Sequence, residues 1–378
     1  MKLAPPLPAA FDPVVLKVFE ADLANAGGLT FYVDHRSLTY SYDGKSIASR
    51  EGFDGGSTAV RLTHQAWDDL TGQMLTLVGL MLSDNLILER GSFDQLFSWE
   101  PLLRYFHAGI LPYDSSRVQF NGRDPLACFT LTASDEELAA QLSTIGYLHV
   151  KDVFSAAEMK AANAEVDRLA ELAEPGDDES WWVTREDGTS ALCRLVYASL
   201  RSPLFAAMEQ DPRIRRLATL LDPTLKTAPD RMEGAAILIK VPGKTDGLSN
   251  IPWHTDCGTG GHAFFCPAVA IGIQFTGSNA EKGNLKVVPG SHGQTLPFQW
   301  QSKIEDIPVV SIDTEPGDVT IHIQDLTHSS PKPTGEGLRR TMYVTHYPPS
   351  LWDHIGPGEA LNDLVRNQNK KVSEITRP

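Results

Sequence analysis

Cysteine is scarce in this sequence: there are four in 378 residues, and Cys128, Cys193, Cys257 and Cys266 show no CxxC spacing. Neither a zinc knuckle nor a dithiol redox pair is indicated, and the count suits reduced thiols in a cytoplasmic protein. Long apolar runs are also missing. The longest, Met74 to Leu82, is far short of the ~20 residues that span a bilayer. Met1 to Pro13 is too rich in proline for the apolar segment of a secretion signal. Positive charge is in deficit as well, with 33 Lys plus Arg against 48 Asp plus Glu and a net charge of −15. A nucleic-acid partner is therefore not expected, because tracking phosphates needs a basic surface. The short basic group Arg213, Arg215 and Arg216 is expected on a solvated helix face.

What is present is the composition of a folded soluble chain, 42% hydrophobic and 21% charged. The length suggests two domains. Two capping boxes mark a change of architecture. Ser134-x-x-Glu137 opens a short helix that closes by Gly146, and Ser155-x-x-Glu158 opens a longer one stapled by Phe154 and Met159. Between them, Tyr147–Val153 is expected as a strand. Further strands are expected at Ala236–Val241, Ala268–Phe275, Leu285–Val288, Pro308–Ile312, Val319–Ile323 and Thr341–Tyr347, with turn clusters between them. Such spacing points to an antiparallel sandwich or barrel.

The first ~130 residues differ in pattern. Strand-like Leu29–Val33, Leu38–Tyr42 and Thr58–Leu62 precede a helical stretch from Phe93 to His107. The expected organisation is an α+β domain over 1–130, a catalytic barrel over 131–352 and a polar tail over 353–378.

Seven of the eleven histidines fall in the last 125 residues. Within Trp253-His254-Thr255-Asp256, side chains two apart share one strand face, so His254 and Asp256 would present an imidazole and a carboxylate to one point. A third ligand from a neighbouring strand would complete two histidines and one carboxylate. That set leaves open positions on a metal and suits Fe(II) that must take a co-substrate and oxygen. His328 follows the strand Val319–Ile323, and Arg339 stands eleven residues further on, where it could approach His328 across a hairpin. A guanidinium there would bind a distal carboxylate bidentately. Arg340, on the opposite face, is expected to be structural.

In order along the chain stand Gly146-Tyr147-Leu148-His149-Val150-Lys151-Asp152-Val153-Phe154, Ile239-Lys240-Val241-Pro242-Gly243, Pro252-Trp253-His254-Thr255-Asp256, Gly283-Asn284-Leu285-Lys286-Val287-Val288-Pro289-Gly290-Ser291-His292, and Gly317-Asp318-Val319 leading to His328-Ser329-Ser330 and Arg339. With these motifs, residues from about 135 to 350 resemble the phytanoyl-CoA dioxygenase family of Fe(II)/2-oxoglutarate oxygenases. The resemblance implies a double-stranded β-helix, a jelly-roll barrel with flanking helices, within an overall α+β chain. It implies His254, Asp256 and His328 as iron ligands, and Arg339 with Ser330 as the groups that hold the far carboxylate of 2-oxoglutarate. Fe(II), 2-oxoglutarate and O2 would be the cofactor and co-substrates. Because position 256 is Asp rather than Ala or Gly, the resemblance favours hydroxylation over halogenation, with release of succinate and CO2. Gln274 is a candidate further donor to 2-oxoglutarate.

Other residues have plainer readings. His292 is expected to be a hydrogen-bonding turn residue rather than a ligand, and His322 to pack or to support the ligands from behind. Cys257 is expected to be an inert thiol, and His262 and His346 to be structural. Trp181-Trp182 is read either as a substrate lid or as core. The N-terminal region resembles the sterol-carrier-protein-2-like fold through its Asp34–Tyr42 hairpin, Arg61-Leu62-Thr63-His64 running into Trp67, and Leu86–Leu88 before the Phe93–His107 helix. Such a domain would bind an apolar ligand or serve as a scaffold or dimerisation unit, compatible with a homo-oligomer. Two functions of different class follow: an oxygenase acting on a small-molecule or lipid-like substrate, or a catalytically silent lipid-binding protein that uses the same barrel.

Overall fold

In the C-terminal part, the apolar alternation of the chain is spent on two facing sheets with helices laid over one of them. The computed structural model describes Leu3 and residues 13–82, 84–185, 187–242, 245–246, 250–256, 268–296 and 307–351. Cys257, His262, Cys266, His354 and the expected tail lie outside the described residues.

The N-terminal part comprises α1 (Pro13–Ala26), β1 (Leu29–Val33), β2 (Arg36–Tyr42), β3 (Ile47–Glu51), β4 (Thr58–Leu62), α2 (His64–Thr71), α3 (Leu77–Leu82), β5 (Leu86–Arg90), α4 (Phe93–Phe97) and α5 (Glu100–Ala108). Its sheet runs β3-β2-β1-β4-β5, with β1 and β4 parallel. Phe19, Phe31, Tyr40, Trp67 and Trp99 fill one core with the aliphatic residues around them. The single helix expected from Phe93 to His107 is two helices. Pro101 has no N–H to continue the ladder and instead sits in the first turn of α5. Trp99 at the break donates from its indole to Gly27 O at 3.1 Å.

The larger part contains β6 (Cys128–Phe129), α6 (Asp135–Ile145), β7 (Tyr147–Val150), α7 (Ala156–Glu171), β8 (Ser180–Arg185), β9 (Ser190–Leu195), α8 (Ala198–Arg201), α9 (Pro203–Glu209) and α10 (Pro212–Ala218). After these come β10 (Lys226–Thr227), β11 (Ala236–Lys240), β12 (Thr245–Asp246), β13 (Ile251–His254), β14 (Val269–Gln274), β15 (Leu285–Val287), β16 (Val310–Ile312), β17 (Val319–Ile323), β18 (His328–Ser330) and β19 (Arg339–Tyr347). The major sheet runs β12-β8-β9-β11-β19-β14-β17-β7-β6, with β10 attached to β19, and the minor sheet runs β13-β18-β15-β16. These are the two layers of a double-stranded β-helix, formed as separate sheets rather than one closed barrel.

Period two decides which face of β17 looks where. Val319, Ile321 and Ile323 join the core formed with Leu138 and Leu142 of α6, Met159 and Val166 of α7, and Phe205 of α9. Burying each such side chain contributes about 1.5–3 kcal/mol. Thr320 and His322, preceded by Asp318, alternate with them and face the interior between the sheets. The helices are fixed where the capping signals place them. Ser155 and Glu158 form a reciprocal box at the start of α7, and Ser134 caps α6 from its side chain.

One expectation is corrected in part. Of the basic group on α10 Arg215 is exposed, but Arg213 pairs with Asp211 and Glu158 and lies over the Phe154 ring, while Arg216 binds Asp135, Leu131 O and Ala133 O. These contacts dock α10 on α6 and α7. Trp181 and Trp182 lie on β8, a strand not expected from the sequence. Trp182 packs on the main core and Trp181 lies under Arg194, so both are packing residues.

Candidate metal and co-substrate site

The minor sheet delivers the two histidines. β13 and β18 pair antiparallel with His254 opposite His328, and their rings lie 4.2 Å apart. Asp256 sits just past the end of β13 rather than on the strand, yet its carboxylate still turns to the same point. Oδ1 is 3.3 Å from His254 Nε2 and 3.5 Å from His328 Nε2. The three ligand atoms lie within 4.8 Å of one another.

The tautomers are set from behind. His254 Nδ1 lies 2.8 Å from Pro252 O, and His328 Nδ1 lies 2.9 Å from Leu326 O. A carbonyl can only accept, so both Nδ1 atoms carry the proton and both Nε2 atoms present lone pairs. Two lone pairs and a carboxylate oxygen crowded together repel unless a cation sits among them, which is how a metal-ligating histidine is ordinarily held. The residues therefore fit a divalent metal. Burial, reinforced by the neighbouring His254, pushes His328 down to about 3, so its imidazole is neutral.

His322 enters from the opposite sheet. Its Nε2 is 3.2 Å from Asp256 Oδ2, and its ring is 4.3 Å from that of His328. It supports the ligand carboxylate, in line with the role expected for it.

Arg339 lies at the start of β19, fully buried. It does not face His328 across a hairpin as expected. β18 pairs with β13 and β15, whereas β19 pairs with β11 and β14, and the intervening loop crosses from one sheet to the other. Arg339 and the His328 strand meet across the interior instead. Its guanidinium donates to Gly283 O, to Ser330 Oγ at 2.9 Å, to Thr341 Oγ1 at 3.2 Å and to Tyr343 OH at 3.0 Å. Ser330 Oγ in turn donates to Gly283 O at 3.0 Å. Gln274 is one step removed: its Oε1 accepts from Thr341 at 3.0 Å and its amide donates to Thr320 and Gly272. Arg340 points the other way and pairs with Asp167, a structural role.

One residue of the site went unassigned in the sequence. Lys240, in the Ile239-Lys240-Val241-Pro242-Gly243 motif, is fully buried on β11 beside Arg339. Its Nζ donates to Ser330 O and Pro331 O at 2.6 Å each. Burial, then the Arg339 and Arg194 charges, push it down to about 6. The available signal was a lysine in an otherwise apolar strand, where a solvated lysine would be out of place. His292 behaves as expected, its Nε2 meeting Ser143 O at 2.9 Å.

A double-stranded β-helix with a His-Asp-His cluster on the minor sheet and a buried arginine opposite defines the class of Fe(II)/2-oxoglutarate-dependent oxygenases. Residues 143–341, more than half of the chain, match the phytanoyl-CoA dioxygenase (PhyH) family, and the chain belongs to it. That family uses Fe(II), 2-oxoglutarate and O2. No curated protein matches the chain significantly.

Solved structures similar to the chain include the non-heme alpha-ketoglutarate-dependent epimerase SnoN from nogalamycin biosynthesis (23% identity, 56% of this chain and 82% of that one, TM-score 0.45). AviO1 from Streptomyces viridochromogenes matches at 21% identity over 58% of this chain and 96% of that one, TM-score 0.47. EctD from S. alaskensis with bound Fe matches at 21% over 60% and 83%, TM-score 0.48. Among the described residues no helix is long and apolar enough to cross a membrane.

Proposed function

We propose that the chain hydroxylates a C–H bond of a small-molecule or lipid-like substrate, with release of succinate and CO2. In this reading His254, Asp256 and His328 hold Fe(II). The bound metal with 2-oxoglutarate and oxygen supplies the oxidising chemistry, and the protein supplies position and exclusion of water. An Asp at position 256 fills the site that a halide would need, which favours hydroxylation over halogenation.

The observation that carries the reading is the state of two buried basic side chains. Arg339 and Lys240 are hydrogen-bonded to neutral oxygens, and among the described residues no carboxylate pairs with either. Burying the unpaired Arg339 charge costs several kcal/mol as an order of magnitude, and a bound anion would offset that cost and recharge Lys240, which supports reading the pair as a receptor for an anion. Of the five guanidinium donors, one NH2 hydrogen has no described acceptor and is available to a carboxylate. Ser330 contributes a hydroxyl beside it. Thr341 accepts from the guanidinium and is itself held by Gln274, which supports a role for Gln274 in orienting Arg339 rather than in binding 2-oxoglutarate directly.

For the N-terminal domain we propose a scaffold role, supported by the aromatic rings that fill its core. Calorimetric titration of 2-oxoglutarate into the Mn(II)-loaded protein tests the site. Binding should be lost in Arg339→Ala and retained in Arg340→Ala. Equal binding by wild type and Arg339→Ala would refute the assignment.

A further inference from the structure

A second cluster of reactive groups lies at the far edge of the major sheet. β6 pairs with β7 so that Cys128 stands opposite His149, and β7 pairs with β17 so that His149 stands opposite Thr320. Cys128 Sγ is 3.3 Å from His149 Nδ1, and His149 Nε2 is 2.8 Å from Asp318 Oδ2. The sulfur also lies 3.7 Å from Leu126 O, a longer contact. Asp318 is buried and accepts the backbone N–H of Asp152 at Oδ1 and of Glu315 at Oδ2. Burial opposes its ionisation, but His149 and the two backbone donors hold its carboxyl below the ordinary value.

An ionised Asp318 accepts a hydrogen bond from Nε2–H of His149 and so fixes the proton on Nε2, which leaves the Nδ1 lone pair facing the thiol. Thiol, base and orienting carboxylate thus stand in the order that activates a cysteine nucleophile. Cys128 is exposed. Cys193 provides the contrast within the same protein: it is buried, donates to Trp181 O at 3.2 Å, and burial pushes its thiol up to about 12.

We propose that Cys128 is a modification site, a thiol that His149 and Asp318 prepare for two-electron oxidation by hydrogen peroxide. The S–H proton passes to His149 Nδ1 and the thiolate attacks one peroxide oxygen. The S–O bond forms as the O–O bond breaks. The departing hydroxide takes the proton back from His149, giving a sulfenic acid and water. Sulfur loses the two electrons that the peroxide gains, and Asp318 stays ionised throughout. None of these groups belongs to the metal site, so the proposal stands apart from the oxygenase reading.

The test is alkylation of the full chain by iodoacetamide at pH 7, with each cysteine followed by peptide mass spectrometry. A parallel sample receives hydrogen peroxide and a sulfenic-acid trap. In the native protein Cys128 should react about tenfold or more faster than the same cysteine in the urea-unfolded chain, while Cys193 should be slower than its unfolded counterpart. The trap should mark Cys128. His149→Gln should remove about tenfold of the Cys128 rate, with Asp318→Asn removing a smaller part. Native Cys128 reacting no faster than unfolded Cys128 would overturn the proposal without recourse to any variant. A folded His149→Gln protein with an unchanged Cys128 rate would do the same.

Discussion

Nε2 of His322 lies 3.2 Å from Oδ2 of Asp256, bridging the major sheet to the carboxylate that follows the minor one. With Nδ1 of His322 buried and without a partner among the described residues, the ring's hydrogen bonding there is concentrated on that contact. A group that orients a metal ligand typically accounts for 10–100-fold in metal affinity, as an order of magnitude. His322→Ala should therefore weaken Fe(II) or Mn(II) binding by about that factor while His254, Asp256 and His328 remain in place. Metal titration under anaerobic conditions checks this, and an unchanged affinity would reduce His322 to packing.

The linear motifs made His254, Asp256, His328, Ser330 and Arg339 legible, because the family's chemistry is written in short segments at strand ends. The environment of Arg339 was not legible. Contiguity suggested a hairpin with His328, but a double-stranded β-helix sends successive strands to opposite sheets, so nearness in sequence and nearness in space separate there. Lys240 stands in a motif that gives it no role, since no spacing shows that β11 lies against β19. The strands of 180–195 were hidden beside a run of acids. The triad of Cys128, His149 and Asp318 could not be seen at all, its members being joined only by the β6-β7-β17 pairing.

Co-substrate binding should depend on pH through Lys240. In the free protein its pKa is pushed down to about 6, and a bound dianion beside it would raise that value. The bound state then holds more protons than the free state above pH 6. Affinity for 2-oxoglutarate should rise as pH falls from 8 toward 6 and level off below, by the ordinary rule of proton linkage. Calorimetry at pH 7.5 in buffers of different ionisation enthalpy should register proton uptake, and Lys240→Met should abolish it. Proton release on binding would have the wrong sign for this account.

Arg339 should contribute to binding and detract from the stability of the ligand-free fold. It is a buried charge without a described counter-ion, and the desolvation of such a charge costs several kcal/mol as an order of magnitude, which its four hydrogen bonds offset only in part. Arg339→Met should melt at or above the wild-type temperature without 2-oxoglutarate, and should lose the increase that wild type shows on adding it. A strongly destabilised Arg339→Met protein would mean that the guanidinium is structural.

Gly283 is held to its residue type by the same site. Its φ of +67° is left-handed, and an added Cβ would fall 2.1 Å from Pro331 O and 3.2 Å from Lys240 Nζ. Gly283→Ala must move backbone, at a cost of about 1–3 kcal/mol. Urea unfolding should show that loss, accompanied by weaker 2-oxoglutarate binding. Gly122→Ala, at a left-handed glycine with nothing within 4 Å, should cost less and leave binding unchanged.

The most direct measurement is substrate-independent formation of succinate from 2-oxoglutarate by the Fe(II)-loaded protein in air, compared with His254→Ala. The oxygenase account predicts slow, Fe(II)-dependent succinate production by wild type and none above background in His254→Ala. Equal output from the two proteins would contradict it, and would leave the His254, Asp256 and His328 cluster without the role assigned to it.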